Sequence, residues 1–323
     1  MSKDSLKDGR RRIGIVGFGS LGQFLVQQLL VDAHLRACFD IAFIWNRTPS
    51  KLTDLSFLHE SIGASATEAL LHLPNTVVLH QLDDFATRGA DLIIEVAHPV
   101  VYETHGEMFL LAGCDLCIGS PTALANANVY RRLITCLDEL KRKCASSSTL
   151  SPSLYFPSGA LWGADDILKM GSKSAISRAT ISMRKPPGSM RLVGELEEKR
   201  RKFDEDSSGE RECLLYRGPV RALCSMAPNN VNTMACLAVA SNLGFDAVEG
   251  TLIADKSISA HIIEIEMVGF PVRGRDEDDV FRLFTRRYNP CDPNAVTASA
   301  TYHSFAASIS RLAIRRPPGI HFC

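Results

Sequence analysis

The sequence has 323 residues, which is long enough for one large domain or two ordinary ones. Hydrophobic residues make up 46% and charged residues 22%, and 36 Lys and Arg balance 36 Asp and Glu, so the formal net charge is zero. A balanced charge gives no global attraction to nucleic acid or to an anionic membrane, and we expect neither as a partner.

Leader and cysteine patterns bear on location. The first twelve residues, MSKDSLKDGRRR, lack the apolar core of a secretory signal, and no apolar run approaches the ~20 residues that cross a bilayer. The ten cysteines are expected to be reduced thiols. Cys114 and Cys117 form a C-x-x-C where a strand enters a turn, which disfavours a redox or zinc pair. We therefore expect a cytoplasmic protein without a metal site.

In the first half of the sequence, short apolar strands alternate with helical segments. The strands are expected at 11–17, 41–46, 76–80, 91–97 and 115–120. The clearest helix covers 99–113 and closes at Gly113, as a left-handed C-cap would. This alternation predicts a parallel sheet covered on both faces, the doubly wound arrangement of the α/β class.

The pattern changes after about residue 150. The small polar residues of 144–153 are typical of a domain joint. We expect strands at 176–187 and within 250–270, and a buried helix at 230–245. The densely charged segment 194–212 is expected to be a solvated loop. The last segment, 292–316, is expected to be a helix capped by Asp292.

The stretch GIVGFGSLG contains a G-x-G-x-x-G motif, at Gly17, Gly19 and Gly22. Because it follows a strand and opens a helix, it predicts a Rossmann dinucleotide site rather than a glycine-rich turn without a ligand. Gly17 permits the tight turn, Gly19 lets a pyrophosphate approach, and Gly22 lets the helix pack against the strand. Ser20 and Leu21 complete the helix N-terminus that would face the phosphates.

The end of the second strand indicates which dinucleotide is preferred. Sites that prefer NAD usually carry Asp or Glu there, but this sequence has WNRTPSK. Asn46 can hydrogen-bond a ribose, and Arg47 can pair with a 2′-phosphate. NADP is therefore favoured, NAD remains possible, and the alternative is that Arg47 is a solvated surface residue.

Two later strand ends should face the same crevice, because ligands bind at the carboxyl ends of parallel strands. They supply Ala97 and His98 from EVAHP, and Ser120 and Ala123 from IGSPTALAN. His98 is expected to form part of the cofactor wall rather than to act as a base.

Several stretches, in this order, resemble L-aspartate dehydrogenases: GIVGFGSLG, DLIIEVAHP, IGSPTALAN, FPSGALWGADDIL, APNNVNTMACLAVA and IADKSISAHIIEIE. The resemblance runs from about residue 12 to about residue 312. The glycine motif is generic, whereas the FPSGA and ADKSISAH stretches are much more specific.

The resemblance implies a Rossmann domain at 10–153, completed by a C-terminal helix at 291–316. Residues 154–290 would form an α+β domain that builds the substrate site and a homodimer. The implied reaction is the NAD(P)-dependent oxidative deamination of L-aspartate, a small-molecule substrate, to iminoaspartate and then to oxaloacetate and ammonia. The family's catalytic histidine falls on His261.

His261 starts a predicted strand after a polar segment, and a histidine near its ordinary pKa suits proton transfer near neutral pH. We hypothesise that it activates the water that attacks the imine; the alternative is an ordinary strand-end histidine. The FPSGA stretch offers Ser158, Gly159 and Ala160 as donors for substrate carboxylates.

Four further polar residues are candidates with structural alternatives. Asn230 and Asn232 can bind substrate, but they can equally serve a turn or a helix cap. Arg184 and Lys185 can pair with carboxylates, although surface charge is the favoured interpretation.

Two other functions fit the same sequence. One is a dehydrogenase of another amino or hydroxy acid, and the other is a catalytically idle sensor or scaffold that binds NADP(H). The retained His261 speaks against the sensor, which needs no base beside the nicotinamide.

Overall fold

The computed structural model describes residues 9–52, 77–144, 151–159, 161–274, 276 and 278–323. Its strands are β1 Arg11–Val16, β2 Phe39–Trp45, β3 Val78–Leu79, β4 Leu92–Glu95, β5 Asp115–Ile118, β6 Leu154–Phe156, β7 Ile176–Lys185, β8 Glu212–Pro219, β9 Glu249–Asp255, β10 Ala260–Pro271, β11 Val280–Pro290 and β12 Ile320–Phe322. Its α-helices are α1 Ser20–Val31, α2 Ala33–Cys38, α3 Val100–Thr104, α4 Gly106–Leu111, α5 Ala127–Cys144, α6 Ala164–Ser172, α7 Glu195–Glu205, α8 Val220–Met226, α9 Asn232–Ala240, α10 Gly244–Ala247 and α11 Ser299–Arg311. Short 3₁₀ helices lie at Pro49–Leu52, Leu82–Arg88, Pro121–Ala125 and Pro187–Ser189.

Among the described residues, seven parallel strands form the first sheet, in the order β12-β6-β5-β4-β1-β2-β3. The strand order reverses at β1, which lies between β2 and β4. That reversal opens a crevice beyond the carboxyl ends of β1 and β4, where dinucleotides bind in doubly wound sheets. The predicted α/β class with a Rossmann sheet is confirmed.

Alternating side chains give this sheet two buried faces. On one face, Ile13 and Ile15 of β1 pack with residues of α1 and with Ile309 of α11. On the other, Ile93 of β4 packs with Leu133 of α5 and other helical residues. Helix α11 therefore returns to the first sheet. So do β6 and β12, and the sheet thereby extends beyond the expected ranges 10–153 and 291–316.

The second sheet is mixed, with the order β11-β10-β7-β9-β8 in the described part of the chain. Strands β7 and β9 are parallel, and the other neighbours are antiparallel. Helix α9 packs against this region and every residue from Thr233 to Ala240 is buried. The predicted second α+β unit is confirmed.

The charged segment 194–212, expected to be a loop, contains helix α7 instead. Arg201 pairs with Glu205 at 3.0 Å, one turn along the helix. Leu196 and Phe203, seven residues apart, are buried. Two apolar residues on one face, two i,i+4 ion pairs and one i,i+3 ion pair are enough to hold this helix, although its overall composition is polar.

The expected helix at 292–316 starts at Ser299 rather than at Asp292. The Asp292 side chain accepts a hydrogen bond from the Asn294 amide at 2.7 Å, and its carbonyl accepts one from the Ala295 amide at 2.9 Å. These bonds close a local turn that competes with helix formation.

Candidate active site

The glycine loop lies tightly against the sheet on one side and is open on the other. Gly17 has φ +113°, and a Cβ there would lie 2.6 Å from the Ala97 amide nitrogen. A Cβ on Gly22 would lie 2.1 Å from the Gly17 carbonyl oxygen. A Cβ on Gly19 would meet no described atom within 4 Å. Because Gly19 precedes α1 directly, this open space exposes the helix N-terminus and fits a dinucleotide pyrophosphate.

Asn46 and Arg47 follow β2 beside this loop. The Asn46 Oδ1 accepts a hydrogen bond from the Phe18 amide at 3.1 Å, and its Nδ2 donates to the Thr48 carbonyl at 3.0 Å. The Asn46 side chain thus holds the loop and keeps one amide hydrogen for a ribose. Arg47 is exposed, and its guanidinium has no ion-pair partner within the described ranges, so it is available to an anion.

Sequence reasoning missed Glu95, which is fully buried at the end of β4. Its carboxyl group accepts hydrogen bonds from the Ala97 amide at 2.7 Å, from the Ser120 amide at 3.1 Å, from the Ser120 hydroxyl and from the Tyr102 hydroxyl. Burial raises its pKa to about 7, although these hydrogen bonds oppose the shift. Glu95 therefore ties together the two loops that should face the nicotinamide. An acidic residue closing the apolar strand LIIE was the available signal.

The other predicted strand-end residues differ in accessibility. The His98 Nδ1 accepts a hydrogen bond from the Val100 amide at 3.3 Å, at the start of α3. The Ser120 hydroxyl donates a hydrogen bond to the Glu95 carboxyl group. Ala123 is buried in the apolar core, so its side chain does not reach the crevice.

His261 lies near the start of β10 and is 4% exposed. Its side chain hydrogen-bonds to the Ala295 backbone, whereas its buried Nε2 has no hydrogen-bond partner among the described residues. Burial is the main cause that lowers its pKa to about 3, and the charges of Lys185 and Arg287 add to it. The expectation of a near-ordinary pKa is therefore wrong, and the ring is neutral at physiological pH.

The sequence favours surface charge for Lys185, but this residue lies at the end of β7 and is only 4% exposed. Its Nζ donates to the Asn230 carbonyl at 3.1 Å. Burial lowers its pKa to about 8. Arg184, by contrast, points away and pairs with Asp255 at 3.0 Å, so only one of the two candidate cations lies beside His261.

The FPSGA stretch reaches the site mainly through its backbone. The Gly159 carbonyl accepts a hydrogen bond from Nη1 of Arg287 at 2.9 Å. The Ser158 amide and hydroxyl both donate to the Cys323 carbonyl, at 2.8 and 2.6 Å. Both donors of Ser158 are thus occupied, and we do not retain it as a substrate ligand. Ala160 lies outside the described residues.

The asparagines divide into structural and available ones. The Asn230 side chain accepts from the Arg191 amide at 2.7 Å and donates to the Ser189 carbonyl at 3.1 Å, which makes it a turn residue. Oδ1 of Asn232 and Nδ2 of Asn289 are buried without a partner in the described chain. Asn289 pairs in register with His261, so its side chain lies next to the histidine.

A groove of about 520 Å³ lies between α1 and the segment that leads into α11. Phe24 of α1 lines one side, and Tyr302 hydrogen-bonds to Ser20 at the helix N-terminus. Ala295, which contacts His261, and Cys291 line the other side. The groove therefore borders both the start of α1 and the segment that holds the His261 ring.

Comparison with known proteins identifies the family of this chain. Residues 166–308 match the family model described as aspartate dehydrogenase, C-terminal, and residues 17–145 match that of the homoserine dehydrogenase NAD binding domain. Aspartate dehydrogenase domain-containing proteins of Xenopus tropicalis and Danio rerio are 38% and 36% identical to the chain, covering 94% of it and 95% of each relative. The chain belongs to the aspartate dehydrogenase family.

Other family members extend this result. The L-aspartate dehydrogenase of Methanosarcina acetivorans is 33% identical over 80% of this chain and 83% of its own. The crystal structure of aspartate dehydrogenase from Thermotoga maritima shares the fold, with a TM-score of 0.59 and 16% identity over 94% of this chain and 95% of that one.

Membership of the aspartate dehydrogenase family supports a nicotinamide cofactor and an oxidoreductase with a small-molecule substrate. In the described residues, no helix is both long and apolar enough to cross a membrane. Arg287 and Asn289 were missed at the sequence level because their relation to His261 depends on the pairing of β10 with β11.

Proposed function

We propose that this chain catalyses the NAD(P)-dependent oxidative deamination of L-aspartate. The observation that carries the proposal is the buried Nε2 of His261, which has no partner among the described residues and whose ring is held by Ala295, a residue that lines the groove beside α1. A buried polar atom without a partner is costly in a finished protein, so it indicates a missing ligand or water. The 33% identical relative from Methanosarcina acetivorans is an L-aspartate dehydrogenase, which supports the same substrate.

His261 handles the proton of the hydrolytic step in this proposal. Oxidation at the substrate Cα yields iminoaspartate, and a water oxygen then bonds to the imine carbon. The neutral Nε2 accepts the proton that this water releases, and loss of ammonia leaves oxaloacetate. The hydrogen bond to the Ala295 backbone fixes the ring so that Nε2 remains the accepting atom.

The loop Gly17–Gly22 would hold the pyrophosphate, and when bound the nicotinamide takes the hydride from the substrate. We propose NADP as the preferred form. Arg47 is exposed beside the loop, and Asn46 stands at the end of β2, where sites that prefer NAD usually carry a carboxylate. Glu95 and Ser120 orient the two loops that border the nicotinamide side of the crevice.

A spectrophotometric scan tests the activity. The protein is incubated with NADP and L-aspartate, and NADPH formation is followed at 340 nm against a panel of other amino and hydroxy acids. We expect L-aspartate to give the highest kcat/KM. A better substrate in the panel, or NADPH binding by fluorescence without turnover of any compound, would refute the proposal.

We also propose a cytosolic homodimer. The face of the second sheet opposite His261 carries Phe284 and Tyr288, which are 64% and 56% exposed. Apolar surface of this kind marks association sites. Sedimentation velocity of the wild type should give a dimer, with twice the chain mass of 35.4 kDa. Phe284→Glu should shift the protein towards the monomer.

A further inference from the structure

Lys185 stands beside His261 in the second sheet. Arg184 pairs in register with Ile262, so the next pair along the antiparallel strands is Lys185 and His261. Both side chains therefore lie on the same face of the sheet. Lys185 is almost fully buried, and its hydrogen bond to the Asn230 carbonyl fixes its position without neutralising its charge.

Arg287 approaches from the other side. Strand β10, which carries His261, lies between β7 and β11, and Arg287 is two residues from Asn289, the register partner of His261. It thus shares the face of Asn289. Nη1 of Arg287 donates to the Gly159 carbonyl, and its buried Nε has no partner among the described residues. Burial lowers the pKa of this guanidinium as well.

Neither cation has a carboxylate within ion-pair distance in the described chain, unlike the buried Arg11 and the partly buried Arg184. Arg11 is paired with Asp115 at 2.6 Å and Arg184 with Asp255 at 3.0 Å. Two neighbouring like charges that are desolvated and unpaired are unfavourable, and each becomes favourable when an anion binds.

We propose that Lys185 and Arg287 form the receptor for the two carboxylates of a dicarboxylate substrate and thereby set the selectivity of the His261 pocket. This proposal rests on the proposed function. Nε of Arg287 and Nδ2 of Asn289 are buried donors without a partner among the described residues, and both suit carboxylate oxygens.

The receptor also couples binding to proton transfer. The two cations contribute to the low pKa of His261. A bound dicarboxylate offsets both charges and removes their part of the lowering, while burial, the larger cause, continues to hold the pKa of His261 down. The histidine is then a somewhat stronger base with the substrate bound than without it.

The experiment measures binding apart from turnover. Succinate, a dicarboxylate without an amino group, is titrated by calorimetry into the NADPH-saturated protein, with butyrate as the single-carboxylate comparison. We expect succinate to bind at least about tenfold more tightly than butyrate. Lys185→Met and Arg287→Met should each weaken succinate binding by about tenfold or more, because each removes one charged contact.

Matched variants control for charge and folding. Arg286→Met changes the neighbouring residue of β11, which pairs with Glu264 at 3.0 Å on the opposite face, and it should bind succinate like the wild type. Lys185→Arg keeps the charge and should retain more affinity than Lys185→Met. Lys185→Gln, which keeps a donor for Asn230, replaces Lys185→Met if that variant loses NADPH binding.

The outcomes separate the two proposals. The receptor is refuted if succinate does not bind to the wild type. It is also refuted if succinate binds to the Lys185 and Arg287 variants as tightly as to the wild type. If succinate binding depends on both cations but L-aspartate yields no NADPH, the receptor stands and the proposed function fails. If L-aspartate is oxidised and its KM is unchanged in both variants, the function stands and the receptor fails.

Discussion

The nucleotide loop and the proposed His261 pocket differ in the groups that they offer to a ligand. The loop offers backbone groups and open space, and the Asn46 and Glu95 side chains at the neighbouring strand ends have protein partners. The pocket has buried side-chain atoms without partners, on His261, Arg287 and Asn289. A backbone cradle serves many dinucleotide enzymes, whereas unsatisfied side chains select one substrate chemistry. We therefore expect the second sheet to determine which substrate is bound.

The largest expected effect is on the pocket. His261→Ala should lower kcat by about 10²–10⁴-fold, the usual contribution of a general acid–base residue. NADPH affinity, measured by fluorescence titration, should stay within about twofold because the histidine lies outside the loop. Undiminished turnover would remove His261 from the mechanism, and lost NADPH binding would show that the two regions are not separable.

Glu95→Gln tests whether the two loops that follow β4 and β5 depend on one buried carboxyl group. The folded pKa of about 7 lies above the ordinary 4.5, so the protonated form stabilises the fold below about pH 4.5, and this stabilisation is lost as the pH rises through 7. A shift from 4.5 to about 7 corresponds to roughly 3 kcal/mol.

The glutamine side chain cannot ionise, and its NH2 group would face a backbone N–H group that donates to the carboxyl group in the wild type. We expect Glu95→Gln to be less stable than the wild type at pH 5 and to approach it at pH 8, as measured by urea unfolding. A stability difference that does not change with pH would show that Glu95 has the same ionisation in the folded and unfolded states.

Gly22→Ala and Gly19→Ala separate folding from ligand space within the loop. The added Cβ at Gly22 would collide with the Gly17 carbonyl, so we expect a loss of about 1–3 kcal/mol of unfolding free energy. At Gly19 the Cβ enters open space, so thermal stability should change little while NADPH affinity falls. Equal melting temperatures for the two variants would contradict this difference.

The smallest effect concerns cofactor choice. Arg47→Ala should weaken NADPH binding by about tenfold, as expected for loss of one charged contact, and should leave NADH binding nearly unchanged. The ratio of the two dissociation constants is the measurement. An equal loss for both cofactors would assign Arg47 to the shared part of the dinucleotide, and no loss would make it a surface residue.

The sequence by itself determined the features that depend on local spacing. The positions of Gly17, Gly19 and Gly22, the alternation of strands and helices, and the placement of His261 at the start of a strand can all be read along the chain. Local patterns were weaker at 194–212, where burial of Leu196 and Phe203 decides for a helix. They also placed the start of α11 seven residues too early, because a turn at Asp292 wins locally.

Only the tertiary structure decided which polar residues have partners. Lys185 resembled a surface charge until the pairing of β7 with β10 placed it beside His261, and Ser158 resembled a substrate donor until Cys323 occupied it. These relations join residues that are 76 to 165 positions apart. Sequence periodicity fixes which face of its own strand a side chain occupies, but strand register and burial determine its neighbours and its charge state.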